Sequence, residues 1–145
     1  MTNRARLRAS VVCEAEGHLL VVRLRDPVTG VVAVFPPGGG IEPGETPAIA
    51  ARRETLEETG LRVRVDPLVE LVATYPFRWA GDDYDVTTHF LAAFLEDTFA
   101  LEIPKVIDAD YNLGASWLPV EEAREAMSVH PAIASACMRV QRRGV

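Results

Sequence analysis

The most constraining feature of this 145-residue sequence is the stretch Gly39–Leu61, which reads GGIEPGETPAIAARRETLEETGL. It carries its own start and stop signals for a helix. The Thr46 hydroxyl is suited to cap the helix N-terminus, and Pro47 suits the first helical position, where no backbone N–H is required. Gly60 supplies the left-handed residue with which many helices end. The sequence therefore predicts one helix beginning at Pro47 and stopping before Gly60.

Three carboxylates share one face of this predicted helix. Glu54, Glu57 and Glu58 are spaced i, i+3 and i+4, so their like charges repel at a cost of roughly 0.2–0.5 kcal/mol per pair. A hard divalent cation reverses the sign of that interaction, because Mg²⁺ takes oxygen ligands and keeps waters for substrate phosphates. A solvated acidic helix face is the simpler interpretation. The spacing of the surrounding residues decides between the two.

Seven residues around the carboxylates follow the spacing G-x5-E-x7-R-E-x-x-E-E-x-G: Gly39, Glu45, Arg53, Glu54, Glu57, Glu58 and Gly60. At roughly one in ten to one in twenty per position, a chance match is rarer than about one in ten million. This spacing resembles the signature box of the Nudix hydrolases. The departure is Thr55, where the family usually has an apolar residue. Its methyl group is still expected to face a core.

The resemblance implies a chemistry for these positions. Nudix hydrolases cleave nucleoside diphosphates linked to another group, and they use Mg²⁺ or Mn²⁺. The catalytic residues implied in this way are Arg53, Glu54, Glu57 and Glu58. The same three glutamates would bind the metal, together with the carbonyl oxygen of Gly39.

The residue that activates water is left open, because in the family it is either a glutamate of the box or an acid on a distant loop. Glu54 is the first choice. The alternatives are six acids that read as solvated loop residues: Asp82, Asp83, Glu96, Asp97, Asp108 and Asp110. Arg53 is expected to bond a box glutamate or Glu45. In a charged cleft that bond would orient the glutamates, a larger role than that of a surface ion pair.

Hydrophobic patterning outside the box predicts strands before and after the central helix. Strands are predicted at 7–15, 19–25, 31–35, 62–65, 68–75, 84–95 and 115–118, and two C-terminal helices begin at Pro119 and Pro131. The segment 36–40 is predicted as a loop whose glycines let the backbone approach a metal or phosphate closely, and 76–83 is predicted as a loop or a hairpin end. This order favours a mixed α/β layered domain, and the resemblance implies an α/β/α sandwich with a mixed β-sheet. Residues 1–145 are expected to form this single domain.

Net charge and cysteine content limit the binding partners and the cell compartment that we expect for this chain. The net charge of −6 argues against a nucleic-acid backbone as the main partner, because backbone binding depends on Lys and Arg. Cys13 and Cys137 are too few for a disulfide framework and fit a reducing cytosol. No apolar run approaches the roughly 20 residues of a membrane span. We expect a cytoplasmic protein with a phosphorylated, nucleotide-like substrate and no membrane partner, and leave a homodimer open.

The identity of the substrate is the least determined point. In the family, a proline fifteen residues beyond the box accompanies ADP-ribose specificity, and Pro76 occupies that place. The glycine that often follows is replaced by Phe77, so a nucleoside triphosphate stays an alternative. We predict that Phe77 and Trp79, with Tyr84, stack a nucleobase and that Arg78 contacts a phosphate. Plain packing and a surface charge are the simpler interpretations.

Two other classes of function also stay open. One is an acidic interaction module with no nucleotide role, which would leave the intact spacing of the box unexplained. The other keeps the Nudix domain without its catalysis. The chain would then be a non-catalytic Nudix domain that binds a nucleotide and acts as a regulatory module. That hypothesis expects carboxylates to be missing from the box. None is missing in this sequence.

Overall fold

The structure is a computed structural model that describes residues 3–144. Its strands and helices, in chain order, are β1 (Arg4–Ala15), β2 (His18–Arg25), β3 (Val32–Phe35), β4 (Gly38–Gly40), α1 (Pro47–Thr59), β5 (Val63–Trp79), β6 (Asp82–Leu95), β7 (Asn112–Pro119), α2 (Val120–Met127) and α3 (Pro131–Gly144). The predicted helix of the box and the two C-terminal helices are confirmed.

The strands form one mixed sheet. Its order is β3-β2-β1-β6-β5, with β4 added to β1 and β7 added to β2. β1 and β6 run parallel over ten residue pairs, whereas every other pairing is antiparallel. The mixed β-sheet expected from the resemblance is confirmed.

Alternation along β1 divides the interior into two cores. Val11 and Cys13 point into a core that includes Ala50 and Ala51 of α1. Val12, between them, points to the opposite face of the sheet and packs into a core built with α2 and α3. Because successive side chains of a strand lie on opposite faces, α1 covers one face and the C-terminal helices cover the other. The α/β/α sandwich is confirmed.

Helix α1 has the ends that its sequence specifies. Thr46 Oγ1 accepts a hydrogen bond from Ile49 N at 3.2 Å, and Pro47 is the first helical residue of α1. Gly60 ends the helix with φ 76° and donates its N–H to the Leu56 carbonyl oxygen.

Within residues 3–144, no helix combines the length and the apolar character needed to cross a membrane.

The glycine-rich segment 36–40, predicted as a loop, contains a short strand. Gly38–Gly40 forms the short strand β4, which pairs with residues 8–10 of β1. A Cβ on Gly38 would overlap the side chain and backbone of Ser10. The glycine is therefore required for close approach of two strands, a role that is indistinguishable from chain breaking in a single sequence.

The segment 76–83, predicted as a loop or a hairpin end, is the end of a hairpin. β5 continues through Pro76 to Trp79, and only Ala80 and Gly81 form the turn before β6, both with positive φ. Such a two-residue turn is favoured between twisted antiparallel strands. Pro76 is tolerated because β5 is the last strand in the sheet order, and an edge strand does not need every N–H. The predicted segments 62–65 and 68–75 belong to this one strand, interrupted by a bulge after Asp66.

Thr55, the departure from the box, faces the core as predicted. Its side chain is fully buried, and its hydroxyl donates to the Ala51 carbonyl oxygen at 2.7 Å. We expect Thr55→Val to change the free energy of unfolding by less than about 1 kcal/mol, because that carbonyl keeps its helical N–H partner and valine fills the same volume. Urea unfolding measures the change.

Thr59→Val is the matched control. Thr59 Oγ1 donates to the Thr55 carbonyl oxygen at 2.6 Å and also accepts from the partly buried Leu61 N at 3.0 Å. Removing it leaves that N–H unpaired, which costs about 1–3 kcal/mol. If Thr55→Val lowered the free energy of unfolding by more than about 2 kcal/mol, the conclusion that the Thr55 hydroxyl is dispensable in the core would be wrong.

Candidate functional site

The guanidinium of Arg53 joins the two ends of the box. Its Nε and Nη2 donate to the two carboxylate oxygens of Glu45 at 2.7 and 2.8 Å. Its Nη1 donates to Glu54 at 2.8 Å and, more loosely, to Glu57 at 3.3 Å. Nη2 also reaches the carbonyl oxygen of Gly40 at 3.1 Å. Arg53 was expected to bond a box glutamate or Glu45, and it bonds Glu45 as well as Glu54 and Glu57.

This ion pair is held more firmly than a surface salt bridge. The side chains of Arg53 and Glu45 are 25% and 13% exposed, and the contact is bidentate. The hydrogen bond from Arg53 is the main reason that the pKa of Glu45 falls to about 2, and the bond to Glu45 in turn raises the pKa of Arg53. Glu45 also accepts the N–H of Glu42. The loop before α1 is thus fastened to the helix that carries the carboxylates.

Glu58 is a buried carboxylate with one backbone partner. It is 7% exposed, and its Oε1 accepts the N–H of Gly38 at 2.7 Å. Burial raises the pKa of Glu58 to about 8, although the bond from Gly38 and the positive charge of Arg8 oppose that rise. The nearby charges of Glu54 and Asp108 contribute to it. Glu58 therefore lies where a cation would be favourable.

Glu54 lies against the glycine strand β4. A Cβ on Gly39 would overlap the Glu54 carboxyl group, so only glycine permits this contact. Burial raises the pKa of Glu54, and the hydrogen bond and charge of Arg53 act against it. Glu57 is the most exposed of the three carboxylates, with half of its side chain accessible.

The donor chemistry of this cluster fits a hard divalent cation. All three glutamates of α1 line one cavity together with Gly39, and they offer only oxygen ligands. Two of them are desolvated and repel each other, an unfavourable arrangement that a cation would relieve. In residues 3–144, no three His, Cys, Asp or Glu side chains lie in positions from which they could together hold a metal ion.

The cavity has a volume of about 390 Å³ and a charged end and an aromatic end. Phe77 and Trp79 of β5 form part of the aromatic end, with ring centroids 6.4 Å apart. Tyr111 meets the Trp79 ring edge-on at 5.7 Å. Phe77, Trp79 and Tyr84 all line the cavity that the glutamates line, and their stacking on a nucleobase stays a prediction.

The structure does not bring Arg78 into this cavity. Arg78 lies between Phe77 and Trp79 on a strand, so its side chain points to the opposite face of the sheet. It is 63% exposed, and its Nη1 donates to both carboxylate oxygens of Asp83 at 2.9 Å. The expected contact of Arg78 with a substrate phosphate is therefore corrected: it is a surface ion pair on a hairpin.

One of the six acids considered as a distant base reaches the cavity. Asp108 lines it, and Asn112 Nδ2 donates to Asp108 at 2.9 Å and to the Glu58 carbonyl oxygen at 3.1 Å. Asn112 thus fastens the 96–111 segment to the end of α1. The other five acids, Asp82, Asp83, Glu96, Asp97 and Asp110, do not line the cavity. Nothing in the sequence distinguished Asp108 from them.

Two further residues were missed by sequence reasoning. Arg6 and Arg8 of β1 line the cavity beside the carboxylates. The available signal was the alternation in RARLRAS, which places arginines on one face of a strand directly before its apolar run.

The NUDIX domain family matches residues 4–136. The octanoyltransferase of Myxococcus xanthus is 38% identical over 117 residues, which is 77% of this chain and 29% of that protein. The MutT-like protein of Streptomyces ambofaciens is 45% identical over 60 residues, 41% of this chain and 36% of that protein. The RNA pyrophosphohydrolase of Rickettsia canadensis (strain McKiel) is 48% identical over 50 residues, 34% of this chain and 30% of that protein.

The matched part of the chain thus spans about a third of the length of these curated relatives. Solved structures match nearly the whole chain. A NUDIX hydrolase from Nitrosomonas europaea has a TM-score of 0.69 at 23% identity, with 97% of this chain and 90% of that chain covered. An Ap4A hydrolase from C. elegans has a TM-score of 0.70 at 19% identity, with 95% and 96% covered. At these identities the structures establish the fold, and the family match over residues 4–136 shows that this chain belongs to the NUDIX domain family.

Proposed function

We propose that this protein is a Mg²⁺- or Mn²⁺-dependent pyrophosphohydrolase that cleaves the diphosphate bond of a nucleoside diphosphate linked to another group. The observation that carries the proposal is the cavity in which the glutamates of α1 lie beside an aromatic wall. A relative named RNA pyrophosphohydrolase and a similar fold named Ap4A hydrolase support hydrolysis of this bond type.

The metal would be held by Glu54, Glu57 and Glu58, with the carbonyl oxygen of Gly39 as a further ligand. When bound, it lowers the pKa of a coordinated water and neutralises charge on the phosphate oxygens. Arg53 has a positioning role, because it bonds Glu54 and Glu57 while it is itself fixed by Glu45. The protein thereby holds several like charges on one helix face without metal.

The reaction needs a base for the attacking water. Glu54 takes this role in our proposal: it accepts the water proton as the water oxygen attacks phosphorus, and the anhydride oxygen departs with the other phosphate. Its partial burial raises its pKa and so favours proton acceptance. Asp108, which also lines the cavity, is the alternative, and Asp108→Asn distinguishes the two by its effect on kcat.

The aromatic end of the cavity is the proposed site of the nucleobase. Phe77 and Trp79 present nearly parallel rings with an interplanar angle of 16°, a surface on which a base can stack. ADP-ribose and nucleoside triphosphates both place a base and a diphosphate within one small molecule. A screen with Mg²⁺ and with Mn²⁺ against both, and against nucleotide sugars, dinucleoside polyphosphates and non-nucleoside pyrophosphates, identifies the substrate.

The carboxylates are tested by Glu57→Gln and Glu58→Gln. Each should lower turnover by at least about a hundredfold while the fold survives, because a metal-dependent step is worth several kcal/mol. Glutamine keeps an oxygen that can accept the Gly38 N–H bonded to Glu58. Release of phosphate or nucleotide measures turnover, and thermal unfolding checks the fold.

Glu122→Gln, on the exposed face of α2, is the control and should leave turnover unchanged. Turnover near the wild-type value in both box variants would sink the metal assignment. A wild-type protein that binds nucleotides and hydrolyses none would favour the non-catalytic regulatory module.

The aromatic end is tested by Trp79→Ala. Base stacking on an aromatic side chain is worth roughly 1–3 kcal/mol, so we expect KM for a nucleotide substrate to rise by about one to two powers of ten with kcat little changed. Arg78→Ala is the matched control, since it alters the neighbouring residue on the other face of β5. An unchanged KM with lower stability would show that Trp79 serves only packing.

A further inference from the structure

Two arginines on β1 have no ion-pair or hydrogen-bond partner in the described structure. Arg6 and Arg8 both line the cavity, yet within residues 3–144 neither has a carboxylate within 4.0 Å or a side-chain hydrogen bond. Arg8 is half-buried, and its charge acts on Glu54 and Glu58 from a distance that excludes direct pairing. Five hydrogen-bond donors of a partly desolvated guanidinium are thus free to face whatever enters the cavity.

Strand register places these arginines between the two ends of the cavity. Arg8 is paired with Gly40 of β4 on one side and with Thr88 of β6 on the other. β6 in turn separates β1 from β5, which carries Phe77 and Trp79. Since neighbouring strands lie roughly 4.8 Å apart, the arginines are about 5 Å from the glycine strand and about 10 Å from the aromatic strand.

Arg6 lies two residues further along the same face, towards the aromatic end. Its guanidinium lies over the Tyr84 ring at 4.9 Å from the ring centroid, a cation–π contact that holds it at the cavity floor. Tyr84 is the register partner of Phe77 on β5. From the carboxylates outward, the floor therefore presents Arg8, then Arg6 on Tyr84, then the aromatic wall.

We propose that Arg6 and Arg8 form the subsite that binds the substrate's diphosphate and thereby select substrates in which two linked phosphates join the nucleoside to the other group. This rests on the proposed function, because that reaction supplies the anion. Two guanidinium groups match two phosphates, since each pairs bidentately with phosphate oxygens. A substrate with one phosphate leaves one arginine without a partner and binds correspondingly worse.

The test uses methylenediphosphonate, a diphosphate analogue whose bridging carbon cannot be hydrolysed. Its dissociation constant is measured by calorimetry, once with Mg²⁺ and once with EDTA, for wild type, Arg6→Met and Arg8→Met. We expect Arg8→Met to weaken binding at least about tenfold in both conditions, because it removes hydrogen bonds to a charged group. Arg6→Met should weaken it several-fold, and Arg8→Lys should recover part of the loss.

Arg4→Met is the matched control, since Arg4 is on the same strand and face, does not line the cavity and is 69% exposed beside Asp82. It should bind as wild type does, and thermal unfolding should show all variants folded. The inference is overturned if Arg8→Met binds the analogue as tightly as wild type, or if wild type does not bind it at all.

The experiments distinguish a failure of this subsite from a failure of the proposed function. If wild type hydrolyses nothing in the substrate screen while its binding still depends on Arg8, the subsite stands and the hydrolase assignment falls. If substrates are turned over and the affinity of Arg8→Met is unchanged, the assignment stands and the subsite falls.

Discussion

The bidentate pair between Arg53 and Glu45 is the interaction on which the site depends. α1 carries three carboxylates within two turns, and without a counter-charge their repulsion would splay the side chains. Arg53 supplies that charge, and Glu45 fixes Arg53 with two short bonds so that its remaining N–H groups face Glu54 and Glu57. The same pair fastens the loop that follows the glycine strand, so the helix and the strand it faces keep a common geometry.

The second constraint is the close approach of the β4 backbone to β1 and α1. β4 lies close enough to β1 and α1 that a side chain at Gly38 would collide with Ser10 and one at Gly39 with Glu54. The free backbone of this strand can therefore bond Glu58 through the Gly38 N–H and offer carbonyl oxygens beside the carboxylates. Metal ligation and phosphate binding can both use such exposed backbone polar groups next to charged side chains.

The sequence predicts the parts of the site that lie on one local element. α1 and its caps follow from Thr46, Pro47 and Gly60, because capping is decided within a few residues. Which face of the sheet a strand residue points to, and which strands pair, are not decided locally. Whether Phe77 or Arg78 faces the cavity depends on the register of β5. Arg6 and Arg8 lie beside the site only because β1 lies between β4 and β6. Asp108 is likewise placed by Asn112 through a contact across the fold.

The central claim, that the carboxylates of α1 form a divalent cation site, is tested most directly by Mn²⁺ binding. Electron paramagnetic resonance of free Mn²⁺ gives the dissociation constant without requiring a substrate. The account predicts that wild type and Glu122→Gln bind Mn²⁺ alike, and that Glu57→Gln and Glu58→Gln weaken it at least about tenfold because each loses an anionic ligand. Equal Mn²⁺ affinity in wild type and both box variants would contradict the account.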